Sequence, residues 1–279
     1  MTNKVAILGG GGLLAYSVKK TFEKKYDIFS FSHYELDIAN KDNYYLLDDY
    51  DIIINTAAFK DVDRCESERD KAFKVNADAP GELARYCRKK NKLLVHISTD
   101  YVFDGEKDGK YAEEEEANPV NIYGKSKLEG EKRIISETDN FLIIRVAWLF
   151  GKGKLNFVDQ LIRQLLNDEI VKLVCDKWGN PTFTTTVSEA IMKLIEAGKT
   201  GIFNIVNGGC TTRYDMGIYI KDLLDVKSGR IIPVSKEEIK SVAVRPTYTC
   251  LSTKKYTAVT GEKLQNWRDV IKDYINGII

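Results

Sequence analysis

Five short runs, Lys4–Leu8, Asp27–Phe31, Ile52–Asn55, 93–97 and Phe141–Val146, are apolar almost throughout and lack the alternation of a half-exposed strand. Such runs predict strands covered on both faces. Helical patterns separate them at 13–24, 70–90 and 123–137. Parallel neighbours need helical crossovers, so this β-α-β-α series predicts an α/β fold with a doubly wound parallel sheet. A chain of 279 residues accommodates that sheet and a second, smaller lobe.

Beyond Trp148 the pattern loosens. A helix is expected at 155–167, a short strand at 172–175 and a turn at Gly179-Asn-Pro-Thr182. A helix at 187–197 and a strand at 202–206 then resume the earlier rhythm and are expected to return to the main sheet. Two further helical patterns, 214–224 and 265–275, flank an irregular middle. The expected organisation is a dinucleotide-binding domain over 1–150, joined by 184–206. A smaller C-terminal α/β substrate lobe would comprise 151–183 and 207–279. The acidic run 113–116 reads as a solvated loop.

The formal net charge is +1, which gives no field to attract nucleic acid or an anionic membrane. No apolar run reaches the ~18 residues of a membrane span, and no signal-like segment precedes Val5. Cys65, Cys87, Cys175, Cys210 and Cys250 are dispersed, with no Cys-x-x-Cys pair. Reduced thiols and a cytoplasmic location are therefore expected. His33 and His96 are too few for a histidine metal site, so no metal is assigned. A monomer or homodimer is expected.

Gly9-Gly-Gly-Gly-Leu-Leu-Ala15 follows the first strand and opens the first helix. Gly9, Gly12 and Ala15 set a Gly-x-x-Gly-x-x-Ala spacing. Its small residues let the backbone turn sharply and approach a pyrophosphate at the helix N-terminus. Leu13 and Leu14 fall in the same contact zone. In dinucleotide sites a carboxylate about 20 residues on binds the ribose 2′-hydroxyl; here the second strand ends Phe29-Ser-Phe-Ser-His33 without one. NADPH is thus admitted, with NADH as the alternative, and Ser32 and His33 are suited to a 2′-phosphate. Asp37 and Ile38 are placed to meet the adenine, Asp37 being equally suited to cap the segment after it. Ala57 and Ala58, past the third strand, suit a backbone packed against cofactor.

The fourth strand runs into Val95-His-Ile-Ser-Thr-Asp-Tyr-Val-Phe-Asp-Gly105, and Tyr123-Gly-Lys-Ser-Lys127 begins a helix. Together they offer a hydroxyl, a phenol and an ammonium, the groups that protonate a carbonyl oxygen while hydride reaches its carbon. Tyrosine, with a reference pKa of about 10, is by itself a poor acid–base group at neutral pH. A lysine four residues on shares its helical face, and its charge is expected to lower the phenol's pKa. The catalytic candidates are therefore Thr99, Tyr123 and Lys127. Thr99 would hydrogen-bond the substrate carbonyl, Tyr123 deliver the proton, and Lys127 tune the phenol and hold the nicotinamide ribose. Ser98 and Tyr123 are also expected at the cofactor.

These motifs resemble those of the extended short-chain dehydrogenase/reductase superfamily, and within it the dTDP-4-dehydrorhamnose reductase family. The likeness takes in Ala57-Ala58 with Val62-Asp63 and Glu66, the 96–105 segment, Tyr123 through Glu131 and Arg145-Val-Ala-Trp148. It continues through Asn156-Phe-Val158, Asp176 with Gly179-Asn-Pro-Thr182, and Arg245-Pro-Thr-Tyr-Thr-Cys-Leu251. The resemblance implies a Rossmann-like fold and NADPH- or NADH-dependent reduction of the 4-keto group of a dTDP-6-deoxy-hexulose, giving dTDP-L-rhamnose. It implies a sugar-nucleotide pocket lined by Tyr101, Trp148 and Asn156. Arg245 would either meet the diphosphate or tie the C-terminal lobe to the core. Tyr101 stands where related dehydratases carry a glutamate, which points to ketone reduction rather than loss of water. The chain departs from the family at Lys60 and Asp61 (usually Thr and Ala), at Lys177 (usually Gln) and at Arg213 (usually Trp). Added charge there bears on which sugar nucleotide fits. Two alternatives stay open: a reductase or epimerase of another sugar nucleotide, and a non-catalytic NADP-binding subunit similar to the beta subunit of methionine adenosyltransferase.

Overall fold

The structure, a computed structural model, describes residues 3–227 and 229–277. Its first half runs β1 (Lys4–Leu8), α1 (Leu13–Phe22), β2 (Asp27–Phe31), β3 (Ile52–Asn55), α2 (Val62–Ser67), α3 (Arg69–Phe73), α4 (Ala79–Lys89), β4 (Leu93–Thr99), α5 (Ile122–Glu137) and β5 (Phe141–Val146). Then come β6 (Leu149–Phe150), α6 (Phe157–Leu166), β7 (Ile170–Val174), β8 (Trp178–Gly179), β9 (Thr182–Phe183), α7 (Thr184–Glu196) and β10 (Gly201–Asn204). The chain closes with β11 (Thr211–Thr212), α8 (Arg213–Leu223), β12 (Arg230–Val234), α9 (Lys254–Thr260) and α10 (Trp267–Asn276).

The five apolar runs form strands where expected, β4 extending two residues further, to Thr99. With β10 they make one parallel sheet in the order β10-β5-β4-β3-β1-β2. β3 and β5 are buried along their whole length because helices cover both faces. Leu14, Val18, Ile191 and Leu194 from α1 and α7 close one side, and Leu83, Cys87 and Ile134 from α4 and α5 the other. β1 has β2 on one side and β3 on the other, so the winding direction reverses between β1 and β3. Beyond the carboxyl ends of strands at such a reversal, the connecting loops diverge and leave a crevice.

A separate apolar cluster includes Phe150, Leu161, Leu173, Met216, Trp267 and Ile271. It packs α6, α8 and α10 against the two-stranded parallel β12–β7 sheet. β12 lay in the stretch expected to be irregular. Its Pro233 removes a donor and argues against a strand, yet the ladder tolerates it because β12 pairs on one side only. The Gly179-Asn-Pro-Thr182 turn is shorter than expected, since Trp178 and Gly179 pair antiparallel with Thr212 and Thr211.

Other expectations are corrected. The helix at 70–90 is not continuous: a π-turn at Lys74–Asp78 separates α3 from α4, just before Pro80. The widened turn brings Asn76 to the Phe59 backbone and to Ser126 on α5. The five thiols are not all free, for Cys210 and Cys250 form a disulfide with Cα atoms 6.0 Å apart. The Asn180 amide gathers both segments, donating to the Gly209 carbonyl at 2.5 Å and accepting the Leu251 N–H at 2.9 Å. The 113–116 run is not wholly solvated either. Glu113 is buried, and its carboxyl accepts the Asn204 N–H at 2.9 Å. Among the described residues no helix is long and apolar enough to cross a membrane.

Candidate active site

The glycine loop sits in the crevice between β1 and β3. Gly9 has φ +80°, and a Cβ there would lie 2.8 Å from the Ala57 backbone nitrogen. A Cβ on Gly10 would press on Ser30 and Phe31, whereas the space beside Gly11 is open. Gly12 caps α1 without a side chain, and no acidic residue occupies the first helical turn. The helix thus ends in free N–H donors facing a backbone-lined cradle, which fits a dinucleotide pyrophosphate. Leu13 and Leu14 start that helix, and Ala57 and Ala58 form the opposite wall.

At the end of β2 the expectation of no carboxylate is corrected. Glu35 folds back, and its carboxylate accepts the Ser32 N–H at 2.7 Å, which lowers the carboxyl's pKa. Ser32 and His33 therefore share their surface with a negative charge. His33 lies 3.7 Å from Asp37, and Asp37 accepts the Ala39 N–H at 2.9 Å, the capping alternative named for it. Ile38 is buried, its carbonyl accepting the Tyr44 hydroxyl at 2.6 Å.

Thr99 ends β4 and caps the short turn Asp100–Val102, accepting the Tyr101 N–H at 3.2 Å. Its hydroxyl donates to Asp100, whose other oxygen accepts the Thr249 hydroxyl at 2.5 Å. Burial holds the Asp100 carboxyl above the usual carboxylate range. The Tyr101 ring lies edge-on to Tyr123, centroids 5.9 Å apart. Tyr123 stands in the first turn of α5, which Asn121 caps through the Gly124 N–H at 2.8 Å. Ser98 faces the α5 side of the sheet, where its hydroxyl donates to Glu131, the partner of Arg145. Only its backbone is left to meet a cofactor.

Lys127, one helical turn past Tyr123, is fully buried. Its Nζ lies 2.9 Å from His96 Nε2 and donates to the Ile97 carbonyl at 2.6 Å. Asn55 orders this chain. Its Oδ1 accepts the Ala57 N–H, which turns Nδ2 toward His96 Nδ1 at 3.1 Å. Assigned from that network, Nδ1 is the acceptor and Nε2 carries the proton. Nε2–H then points at Lys127, a contact that favours loss of the lysine's proton, although the charged form still predominates below about pH 8. Burial agrees in direction: it lowers Lys127 to about 8 and holds His96 neutral. The expectation that Lys127 lowers the Tyr123 pKa is corrected here. Burial pushes the phenol up, with the Thr99 hydroxyl a partial offset. Asn55, His96 and Asn76 escaped the sequence reading, because each looks like an ordinary core polar residue until its partners are seen.

On the substrate side, Trp148 has a left-handed backbone, φ +40°. Its indole packs on Gly179 and stacks with Arg213, whose guanidinium carbon is 4.1 Å from the ring centroid. Lys177 meets the Tyr101 hydroxyl and lies 4.6 Å from that ring's centroid. The other two pocket candidates are engaged elsewhere. The Asn156 side chain caps α6 and bonds the Gly151 carbonyl at 2.9 Å. Arg245 pairs with Asp63 at 3.0 Å, tying the late segment to α2.

Residues 3–278 match the family model described as RmlD substrate binding domain. The dTDP-4-dehydrorhamnose reductase of Aggregatibacter actinomycetemcomitans is 32% identical over 97% of both chains. The dTDP-4-keto-6-deoxy-D-glucose reductase of Streptomyces niveus is 31% identical over 96% of this chain and 94% of that one. The structure of dTDP-4-dehydrorhamnose reductase from Bacillus anthracis in complex with NADP superposes with a TM-score of 0.95, covering 99% of this chain and 100% of that one at 30% identity. With the Rossmann-like sheet, the glycine cradle and the Thr99–Tyr123–Lys127 array in place, this chain belongs to the RmlD substrate binding domain family.

Proposed function

We propose that this protein reduces the 4-keto group of a nucleotide-linked 6-deoxy sugar with NADPH or NADH, the best-supported substrate being dTDP-4-dehydrorhamnose and the product dTDP-L-rhamnose. The observation that carries it is the placing of Thr99, Tyr123 and Lys127 at the carboxyl edge of the sheet, beside the glycine cradle. Gly9, Gly12, Leu13, Leu14, Ala57 and Ala58 would hold the dinucleotide, with Ser32, His33, Asp37 and Ile38 at its adenosine end. Bound there, the reduced nicotinamide supplies hydride to the sugar carbon.

The chain's own residues do the rest. Burial keeps the Tyr123 phenol protonated, as a proton donor to the developing alkoxide requires. The Thr99 hydroxyl, anchored between Asp100 and the Tyr101 N–H, hydrogen-bonds the same oxygen. Lys127, charged below about pH 8, holds a proton one helical turn past the phenol. Tyr101 and Trp148 line the sugar side. We assign 1–150 with 184–206 to the dinucleotide and 151–183 with 207–279 to the substrate. Both ligands are charged phosphates that do not cross bilayers unaided, so the reaction belongs in the cytoplasm where they are made.

The test is NADPH consumption with dTDP-6-deoxy-L-lyxo-4-hexulose. Sugar-dependent oxidation supports the assignment. Activity only with other keto sugars moves the substrate, as the Streptomyces niveus relative would suggest. NADPH binding without any turnover favours a regulatory subunit. Tyr123→Phe should keep NADPH binding and lose at least ~100-fold in turnover; near-normal turnover rejects this proton donor.

A further inference from the structure

Register brings Lys177 and Arg213 together. Trp178 pairs with Thr212 and Gly179 with Thr211 across antiparallel β8–β11, so the next residues outward, Lys177 and Arg213, stand opposite each other. The Arg213 guanidinium is sandwiched, 4.1 Å from the ring centroids of both Trp148 and Phe157. Gly179 supports the indole: a Cβ there would lie 2.5 Å from Trp148. Among the described residues neither cation forms an ion pair. Asp100 faces both, but its two carboxyl oxygens are taken by the Thr99 and Thr249 hydroxyls rather than by either cation. Both address Tyr101, whose ring adjoins Tyr123. That is where the non-reacting end of a substrate held at Tyr123 would extend.

We propose that Lys177 and Arg213 form an oxyanion site that grips the diphosphate of the substrate. The proposal rests on the sugar-nucleotide reading above. A sugar diphosphate diester carries two negative charges, one on each phosphoryl group, matching two cations. A stacked guanidinium is already oriented, so little rotamer freedom is lost on binding. Arg245 is drawn away from this role by Asp63, which it meets together with Ser241.

The test is calorimetric titration of the full chain with dTDP, inorganic pyrophosphate and glucuronate at low salt. Wild type, Lys177→Gln, Arg213→Gln and Lys177→Arg are compared. Each glutamine variant should weaken dTDP and pyrophosphate binding about tenfold, the scale of one lost charge-assisted hydrogen bond. Lys177→Arg should restore it, with NADPH affinity unchanged as a check on folding. With the keto sugar nucleotide, KM should rise while kcat is kept, as for an interaction equal in ground and transition states. If Arg213→Gln unfolds, the Lys177 pair of variants decides. Unchanged dTDP affinity in the glutamine variants overturns the proposal. So does a loss confined to glucuronate, which would mark a site for a sugar carboxylate. Pyrophosphate binding that depends on both residues, without reduction of any keto sugar nucleotide, would overturn the reductase reading and leave the oxyanion site standing.

Discussion

Replacing Glu131 by glutamine removes one charge from the middle of the fold and leaves its partner behind. Glu131 and Arg145 are 1% and 4% exposed. The carboxylate accepts Arg145 Nη2 at 2.6 Å, Arg145 Nε at 3.1 Å and the Ser98 hydroxyl. Glutamine matches glutamate in volume, so no cavity opens; one acceptor oxygen becomes a donor facing another donor. Breaking a buried pair by removing one partner costs about 3–5 kcal/mol. For 279 residues the unfolding entropy is about 0.6 kcal/mol/K, which converts that cost to a fall in Tm of about 5–9 °C. Thermal melting by circular dichroism reads it directly. The double variant Glu131→Leu/Arg145→Met removes both charges and should recover most of the loss. A Glu131→Gln protein melting within about 1 °C of wild type would refute the view that this pair braces β4 and β5 through α5. A double variant as unstable as the sum of the two single ones would do the same.

Three further outcomes follow from the site. With Lys127 lowered to about 8, its charged form dominates below that pH, so kcat/KM for ketone reduction should fall as pH rises through about 8; a break near the ordinary lysine value would contradict it. Because the fold disfavours the charged amine, that cost is present below pH 8 and fades toward 10.5, and wild type should gain stability relative to Lys127→Met over this window. Gly9→Ala places a Cβ against Ala57 at φ +80° and should cost about 1–3 kcal/mol in stability, with weaker NADPH binding by fluorescence titration; wild-type behaviour would mean that the glycine cradle does not hold the cofactor. Glu35→Ala should raise the NADPH-to-NADH ratio of kcat/KM by up to about fivefold, the range of an exposed charge pair, whereas an unchanged ratio would mean that no 2′-phosphate approaches that carboxylate.

The places where sequence and structure parted share one cause. The absence of a carboxylate after β2 was true of the strand and false in space, because Glu35 folds back onto Ser32. Glu113 sits within an acidic run, but the Asn204 backbone recruits it into the interior. Cys210 and Cys250 have no spacing motif; Asn180 is what brings their segments together. Tyr123 and Lys127 were recognisable as a pair four residues apart, yet spacing could not reveal that burial would govern the phenol and that His96 would engage the amine.

By itself the sequence determined the strand runs, the winding of the sheet and the candidate hydride-transfer groups, since these depend on local hydrophobic period and on glycine and motif spacing along the chain. Tertiary structure alone decided the direction in which the pKa values of Tyr123, Lys127 and Asp100 move, the pairing of Arg245 with Asp63, and the β8–β11 register that sets Lys177 across from Arg213. Those depend on desolvation and on contacts between residues far apart in the chain, and both arise only once the strands have paired and the helices have packed.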